Sequence, residues 1–187
     1  DPATDCIILC TDHGSHVPIT VGALDAGKHV LCEKALAADH AGLEKMFAAR
    51  KRNPGAVFGA VFQHRFEPFH LLMKEIVDSG MMGKILTAGI QSRCLRTRKY
   101  YDADEWRGTW KREGGAVLIN QAIHYVDLLA WIMGGVSSVA GSYANLTHGK
   151  SMETEDTVAA ALKFRSGAMG TIEATCSANV AWEQSLF

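Results

Sequence analysis

Lys34, Asn120, His124 and Asp127 are the residues of this chain whose types and spacing could carry chemistry on a hydroxyl proton. The last three sit at i, i+4 and i+7 within Gly114-Gly115-Ala116-Val117-Leu118-Ile119-Asn120-Gln121-Ala122-Ile123-His124-Tyr125-Val126-Asp127-Leu128-Leu129. At about 100° per residue they fall within roughly 60° of one another on a helix. Their neighbours Leu118, Ile119, Ile123, Val126, Leu128, Leu129 and Ile132 are all apolar. A helix apolar on nearly all sides is buried, and each unpaired buried polar group costs about 1–3 kcal/mol. The polar stripe therefore faces either a structural hydrogen-bond network or a ligand. Lys34 follows a short apolar run, where ligands of open α/β sheets bind outside the carboxyl ends of strands. There it is either a solvated partner of Glu33 or a desolvated amine with a lowered pKa that can act on a hydroxyl.

The elements that must position these residues can be read from pattern. Cys6-Ile7-Ile8-Leu9-Cys10 and His29-Val30-Leu31-Cys32 read as buried parallel strands, and 57–62 as a third. Ser15 is placed to cap a helix running to Ala26, and Asp39 one running to Arg52 before Asn53-Pro54-Gly55. This alternation is that of a doubly wound parallel sheet. After residue 64 the pattern changes to a helix over 67–79, a strand over 84–94, a basic aromatic loop over 96–113 and one buried helix over 117–133. Strands follow over 136–146, 155–165 and 168–179, with Ser166-Gly167 as a hairpin turn. The expected architecture is thus α/β over 1–63, then an α+β domain over 64–187 with an open, mostly antiparallel sheet. Thr11, His16, Glu33 and Lys34 would line one rim of the first sheet.

Composition limits the function classes. The chain has 187 residues, 48% hydrophobic and 21% charged, with net charge −1. No global field favours nucleic acid or an anionic membrane, and no apolar run approaches the ~18–20 residues of a membrane span. The five cysteines form no C-x-x-C pair and read as reduced residues of a cytoplasmic protein, Cys6 and Cys10 among the core. His13 and His16 lack a third zinc ligand at suitable spacing, so no metal is expected. His148 reads as surface, and Met81, Met82, Phe58 and Phe62 as core. The stretch from Arg96 to Arg112 is the most basic and aromatic. It could bind nucleic acid, be a plain surface loop, or grip an anionic substrate or cofactor phosphate. Arg107 and Trp110 are its candidates for the last role, and Arg65 either contacts a cofactor or ties the two parts together.

The chain resembles the Gfo/Idh/MocA family of NAD(P)-dependent oxidoreductases. The resemblance is carried by Ala23 to Lys34, by Trp106-Arg107-Gly108-Thr109-Trp110, by the Gly114 to Leu129 segment, and by Glu155-Asp156-Thr157 with Phe164 to Ala168. It implies that residues 1–63 are the C-terminal half of a Rossmann-type domain and that the cofactor is NAD or NADP. It implies a sugar, cyclitol or nucleotide-sugar substrate, and a homo-oligomer formed through the open sheet. Lys34 matches the family's active-site lysine and His124 its active-site histidine. Asp127 matches a nearby acid that supports the helix. Asn120, Arg107 and Asp127 are the expected substrate contacts, and Thr11, His16, Glu33, Lys34, Arg65 and Trp110 the expected cofactor contacts.

Three departures bear on these roles. The family's Glu-Lys-Pro is Glu33-Lys34-Ala35 here; a cis bond before Ala costs ~2.5–4 kcal/mol, which predicts a trans turn and a shifted Lys34. Asn120 stands where many members have Asp, so it would orient His124 or substrate without adding charge, and Asn120-Gln121 resembles the subgroup acting on nucleotide-sugar acids. No G-x-G-x-x-G precedes a strand; a phosphate-binding half of roughly 80–120 residues is expected upstream of Asp1. Two other readings stay open: a glycosidase that oxidises its sugar transiently, and a non-catalytic dinucleotide sensor.

Overall fold

Three short apolar segments, Cys6–Leu9 (β1), His29–Cys32 (β2) and Phe58–Ala60 (β3), pair as a parallel sheet in the order β1-β2-β3. The computed structural model describes residues 1–187. Parallel neighbours need crossovers, supplied by α1 (His13–Asp25) and α2 (His40–Arg52). Asp39 caps α2 as expected, its carboxylate accepting the Gly42 amide at 2.6 Å. The N-cap position of α1 falls on Asp12 and not Ser15, and the Asp12 side chain bonds no backbone amide of the first turn. Ser15 lies in the first turn and donates to Asp12 Oδ2 at 2.8 Å.

Both helices cover the same face of this sheet. Leu9, Val30 and Cys32 pack there with Leu24, Met46 and Ala49, whereas Ile8 and Leu31 point away and are exposed. Strands covered on both faces were expected; one-sided packing explains the difference. Cys6 and Cys10 are likewise exposed and are not core residues.

A 3₁₀ turn over Gln63–Phe66 leads into α3 (Pro68–Asp78). Met81 and Met82 follow the Gly80 stop and are exposed, since nothing packs over that turn. The second sheet contains β4 (Thr87–Leu95), β5 (Val136–Ala144), β6 (Thr157–Phe164), β7 (Met169–Thr175) and β8 (Ser177–Leu186) in the order β5-β6-β7-β4-β8. It is mostly antiparallel, with one parallel pair because β4 inserts between β7 and β8. The segment read as one strand over 168–179 divides at Cys176. One face of this sheet packs Ile90, Leu162, Phe164 and Ile172 against Leu129 and Met133. On the other, Ala159, Ala161, Met169 and Thr171 are exposed.

The segment expected as one helix over 117–133 is two. Val117–Gln121 is a π-helical turn and α4 spans Ile123–Ile132. The break has a cause distant in sequence. Buried Glu155 accepts the Ala116 and Leu118 amides, each at 3.1 Å, which pins the first turn, and the Ala122 amide then reaches back to the Val117 carbonyl at 2.8 Å. Gly114 explains the Gly-Gly approach. Its φ is +85°, and a Cβ there would lie 2.0 Å from the Ala38 carbonyl oxygen. Only glycine lets the loop after β2 lie directly against the start of this helix. That contact joins the two sheets and brings Lys34 under Asn120.

Candidate active site

Lys34 reaches from the carboxyl end of β2 to the π-helical turn. Its Nζ donates to the Asn120 carbonyl at 2.9 Å and to Asn120 Oδ1 at 2.7 Å. The turn and the side chain of Asn120 thus present two acceptors to one ammonium. Asn120 Nδ2 in turn donates to Glu113 Oε1 at 2.5 Å, and Glu113 Oε2 accepts the Gly108 amide. Glu113 is wholly buried. The resulting order, Glu113 to Asn120 to Lys34, leaves one of the three ammonium protons free for a ligand. The Lys34–Ala35 peptide is cis, contrary to the trans turn expected; Ala35 is buried there and its carbonyl meets His16 Nδ1 at 2.8 Å.

Lys34 and Asn120 open on a cavity of about 420 Å³ whose other walls are His64, Arg96, Tyr100, Gln121, His124, Trp182 and Gln184. His124 stands on α4, edge-on to His64 at 4.7 Å between ring centroids and to Phe62 at 6.2 Å. Its Nδ1 is buried without a partner. Arg96 lies between two rings, 4.6 Å from Tyr100 and 4.9 Å from Trp182, with Nε donating to Gln121 Oε1 at 2.9 Å. Cation–π contact on both faces fixes its plane, and its terminal nitrogens make no hydrogen bond within the chain.

Electrostatics follow from this placement. Burial pushes the Lys34 amine down, against the opposing pull of Glu33 and Glu113. Burial pushes Glu113 up, opposed by the Gly108 and Asn120 donors. Burial, then the His64 and Lys34 charges, push His124 down to about 4. His124 is therefore neutral at physiological pH, beside a lysine whose cationic form is held by two acceptors.

The structure brings Lys34, Asn120 and His124 together and puts the other expected residues elsewhere. Asn120 orients Lys34 and not His124, because the π turn rotates its side chain towards β2. Asp127 accepts Arg65 Nε at 2.6 Å and Arg65 Nη2 at 2.5 Å, so both of its oxygens face an arginine and neither is free for substrate. Arg65 correspondingly ties the 3₁₀ turn to α4 through Nε and Nη2, and its Nη1 makes no hydrogen bond within the chain. Arg107 stacks on Tyr100 and Trp106 and pairs with Asp104 at 2.7 Å, outside the cavity wall. Trp110 packs against Tyr143, away from Lys34. His16 is fully buried with its second nitrogen 3.1 Å from the Thr11 carbonyl, so it is part of the rim's frame and not its surface. Thr11 is exposed at the end of β1, and Glu33 accepts the Lys34 amide at 3.2 Å. His13 is buried against Trp106 with Nδ1 2.8 Å from the Glu113 carbonyl. His148 is also buried, between Asp156 and the Arg96 carbonyl, and is not a surface residue.

Glu113, Arg96 and His64 were missed as site residues. Each left a signal. Ser92 and Cys94 are buried on one face of β4, and period-2 alternation carries that face to Arg96. Glu113 is a lone carboxylate directly before Gly114-Gly115 and an apolar run, where a buried charge needs donors.

An apolar groove lined by Leu36, Phe62, Ile119 and Ile123 adjoins the Lys34 cavity. The partnerless His124 Nδ1 lies in the wall of the Lys34 cavity, a buried polar group that nothing else in the chain satisfies.

Comparison with known proteins accords with this geometry. Residues 1–60 match the family model described as the oxidoreductase family with NAD-binding Rossmann fold, and residues 70–186 match the GFO/IDH/MocA C-terminal domain. Myo-inositol 2-dehydrogenase of Thermotoga maritima is 28% identical over 190 residues, covering 100% of this chain and 54% of that protein. Levoglucosan dehydrogenase of Pseudarthrobacter phenanthrenivorans is 26% identical, covering 96% of this chain and 51% of that one. The WlbA dehydrogenase of Bordetella pertussis, solved in complex with NADH and UDP-GlcNAcA, superposes with a TM-score of 0.91 at 34% identity, over 98% of this chain and 53% of that one. The chain spans about half the length of the relatives it matches. No helix is long and apolar enough to cross a membrane. With both matched segments together spanning nearly all of its residues, the chain belongs to the Gfo/Idh/MocA oxidoreductase family.

Proposed function

We propose that the full-length protein is a nicotinamide-dependent dehydrogenase acting on a hydroxyl of a nucleotide-linked sugar acid. The observation that carries this is the Lys34 ammonium, tethered by two bonds to Asn120 beside a neutral His124, in one cavity with Arg96. A bound nicotinamide supplies the hydride acceptor. Lys34 directs its remaining N–H at the substrate oxygen and stabilises the negative charge that develops there. His124, neutral, is the acceptor available for the hydroxyl proton. Arg96 presents its terminal nitrogens to a carboxylate or phosphate in a bidentate fork. The WlbA complex with UDP-GlcNAcA supports a substrate of this charge. The sheet face turned away from α4, bearing Ala159, Ala161, Met169 and Thr171, supports self-association.

The test is reduction of NAD⁺ by the full-length protein with UDP-linked uronic acids, the matching neutral UDP-hexoses, myo-inositol and levoglucosan. A preference for the acids of about tenfold or more in kcat/KM is expected. Equal or greater activity on the neutral sugars refutes the acid assignment, and no activity on any refutes the dehydrogenase.

A further inference from the structure

His64 lies in the wall of the cavity but is positioned by a network of its own. Its Nδ1 pairs with Glu67 Oε1. An ionised carboxylate can only accept, so this nitrogen carries the proton and Nε2 has the free lone pair. Glu67 Oε2 lies 3.1 Å from His70 Nδ1, which also meets the His64 carbonyl at 2.9 Å. Glu67 thereby bridges two imidazoles, Oε1 on His64 and Oε2 on His70, and is itself exposed to solvent. The ligand atoms of His64, Glu67 and His70 lie within 4.8 Å of one another. That spacing could suit a metal, but His70 Nδ1 faces two acceptors and so carries a proton. The arrangement is a hydrogen-bonded relay.

We propose that His64, oriented by Glu67, is a second histidine of the active site and the outlet through which the substrate's hydroxyl proton reaches water. The proposal rests on the dehydrogenase reading above. Oxidation breaks a C–H bond, whose electron pair leaves with the hydrogen for the nicotinamide. It also breaks an O–H bond, whose pair becomes the second bond of the new carbonyl. One proton per turnover is left over. His124 is a poor place to keep it, because burial and the neighbouring His64 and Lys34 disfavour its cation. Lys34 Nζ is occupied as a donor to both oxygens of Asn120. His64 Nε2 makes no hydrogen bond within the chain, lines the same cavity and sits against the His124 ring at 4.7 Å. A proton accepted at Nε2 gives an imidazolium facing the Glu67 carboxylate, and the side chain is 30% exposed, so the proton can leave to solvent. The charged and titratable groups facing His64 are Glu67 and His70 on its own segment, His124 and Tyr125 on α4, Lys34 and Arg96 across the cavity, and the mutually neutralised Arg65–Asp127 pair. Glu67 alone among them both touches the imidazole and favours its cation. Glu67 is a positioning residue, and His64 the group that exchanges the proton.

The experiment uses the full-length protein. His64→Gln should lower kcat at neutral pH by about 10²-fold, with partial recovery as imidazole is added to the buffer. Glu67→Gln should free the His64 ring, read by histidine NMR in the cofactor-free protein as loss of the hydrogen-bonded Nδ1–H signal. It should lower kcat while KM stays within about twofold of wild type. The NMR readout needs no turnover and holds if a variant is inactive for other reasons. Wild-type kcat in His64→Gln, or an unchanged His64 Nδ1–H signal in Glu67→Gln, overturns the outlet while leaving the dehydrogenase standing. A wild-type protein that oxidises no sugar overturns the dehydrogenase, and the outlet with it.

Discussion

Replacing Glu113 by Gln changes one oxygen to an amide nitrogen and should disable Lys34, which Glu113 does not touch. Both Glu113 oxygens are acceptors, for Gly108 N–H and for Asn120 Nδ2. Gln offers one acceptor and one donor. If its oxygen stays on Gly108, its NH₂ meets the Asn120 NH₂. Asn120 must then flip, which turns its own NH₂ towards the Lys34 ammonium in place of the oxygen now at 2.7 Å. If its oxygen takes Asn120 instead, the Gly108 amide is orphaned at a buried position. Either arrangement leaves one buried donor unmatched, a cost of about 1–3 kcal/mol. The first also removes a hydrogen bond to a charged group, worth about 1.5–3 kcal/mol. Carried into the transition state, that loss is roughly 10- to 150-fold in kcat/KM. Glu113 is also one of the two carboxylates opposing the burial that lowers the Lys34 pKa. Without it the pKa falls further, the ammonium is lost at lower pH, and the basic limb of the pH–kcat/KM profile moves down. The assay is that profile for Glu113→Gln in the full-length enzyme, with cofactor Kd measured alongside. An unchanged basic limb and kcat/KM within twofold of wild type would refute the reasoning.

Three further outcomes follow from the same geometry. Arg96→Met should raise KM for an acidic substrate by about 10- to 100-fold, the value of a lost charge-assisted pair, and leave KM for its neutral analogue within about threefold; steady-state kinetics on the two substrates decide this. Asp127→Asn should lower stability by about 1–2 kcal/mol in urea unfolding, discounted because Arg65 is more than one-third exposed, with little change in KM; a large KM effect would restore Asp127 as a substrate contact. Asp156 is wholly buried, and although burial pushes its carboxyl up, the Leu146 amide, His148 and Thr147 together bring it well below the usual range. A depressed carboxylate contributes stability that is present above its unfolded value of 3.8 and is lost as pH falls below it. Asp156→Asn should therefore be destabilised by about 3–5 kcal/mol at neutral pH, and the gap to wild type should narrow in acid; a gap that persists unchanged below pH 3 contradicts this.

What could be read from the residues alone was set by how local the physics is. Asp39 before α2, the Ser166-Gly167 turn and the strand–helix alternation each depend on a few neighbouring residues, and each stands as read. The sidedness of the first sheet does not: Ile8 and Leu31 are as apolar as Leu9 and Val30, and only the placement of both helices on one face decides which are covered. The site divides in the same way. Lys34, Asn120 and His124 carried an α/β position and a helical spacing, and they meet in one cavity. Their partners did not follow from spacing, because the π turn at Val117–Gln121 is imposed by Glu155, some 35 residues on. A continuous α-helix would aim Asn120 and His124 the same way. The break sends Asn120 to Lys34 and leaves His124 facing His64. A residue's identity announces that it needs a partner, and a buried carboxylate such as Glu113 announces it strongly. Which partner it finds is decided by contacts across the fold, so sequence reasoning does best when it asks which buried polar groups lack an obvious local donor, and less well when it assigns each one a ligand.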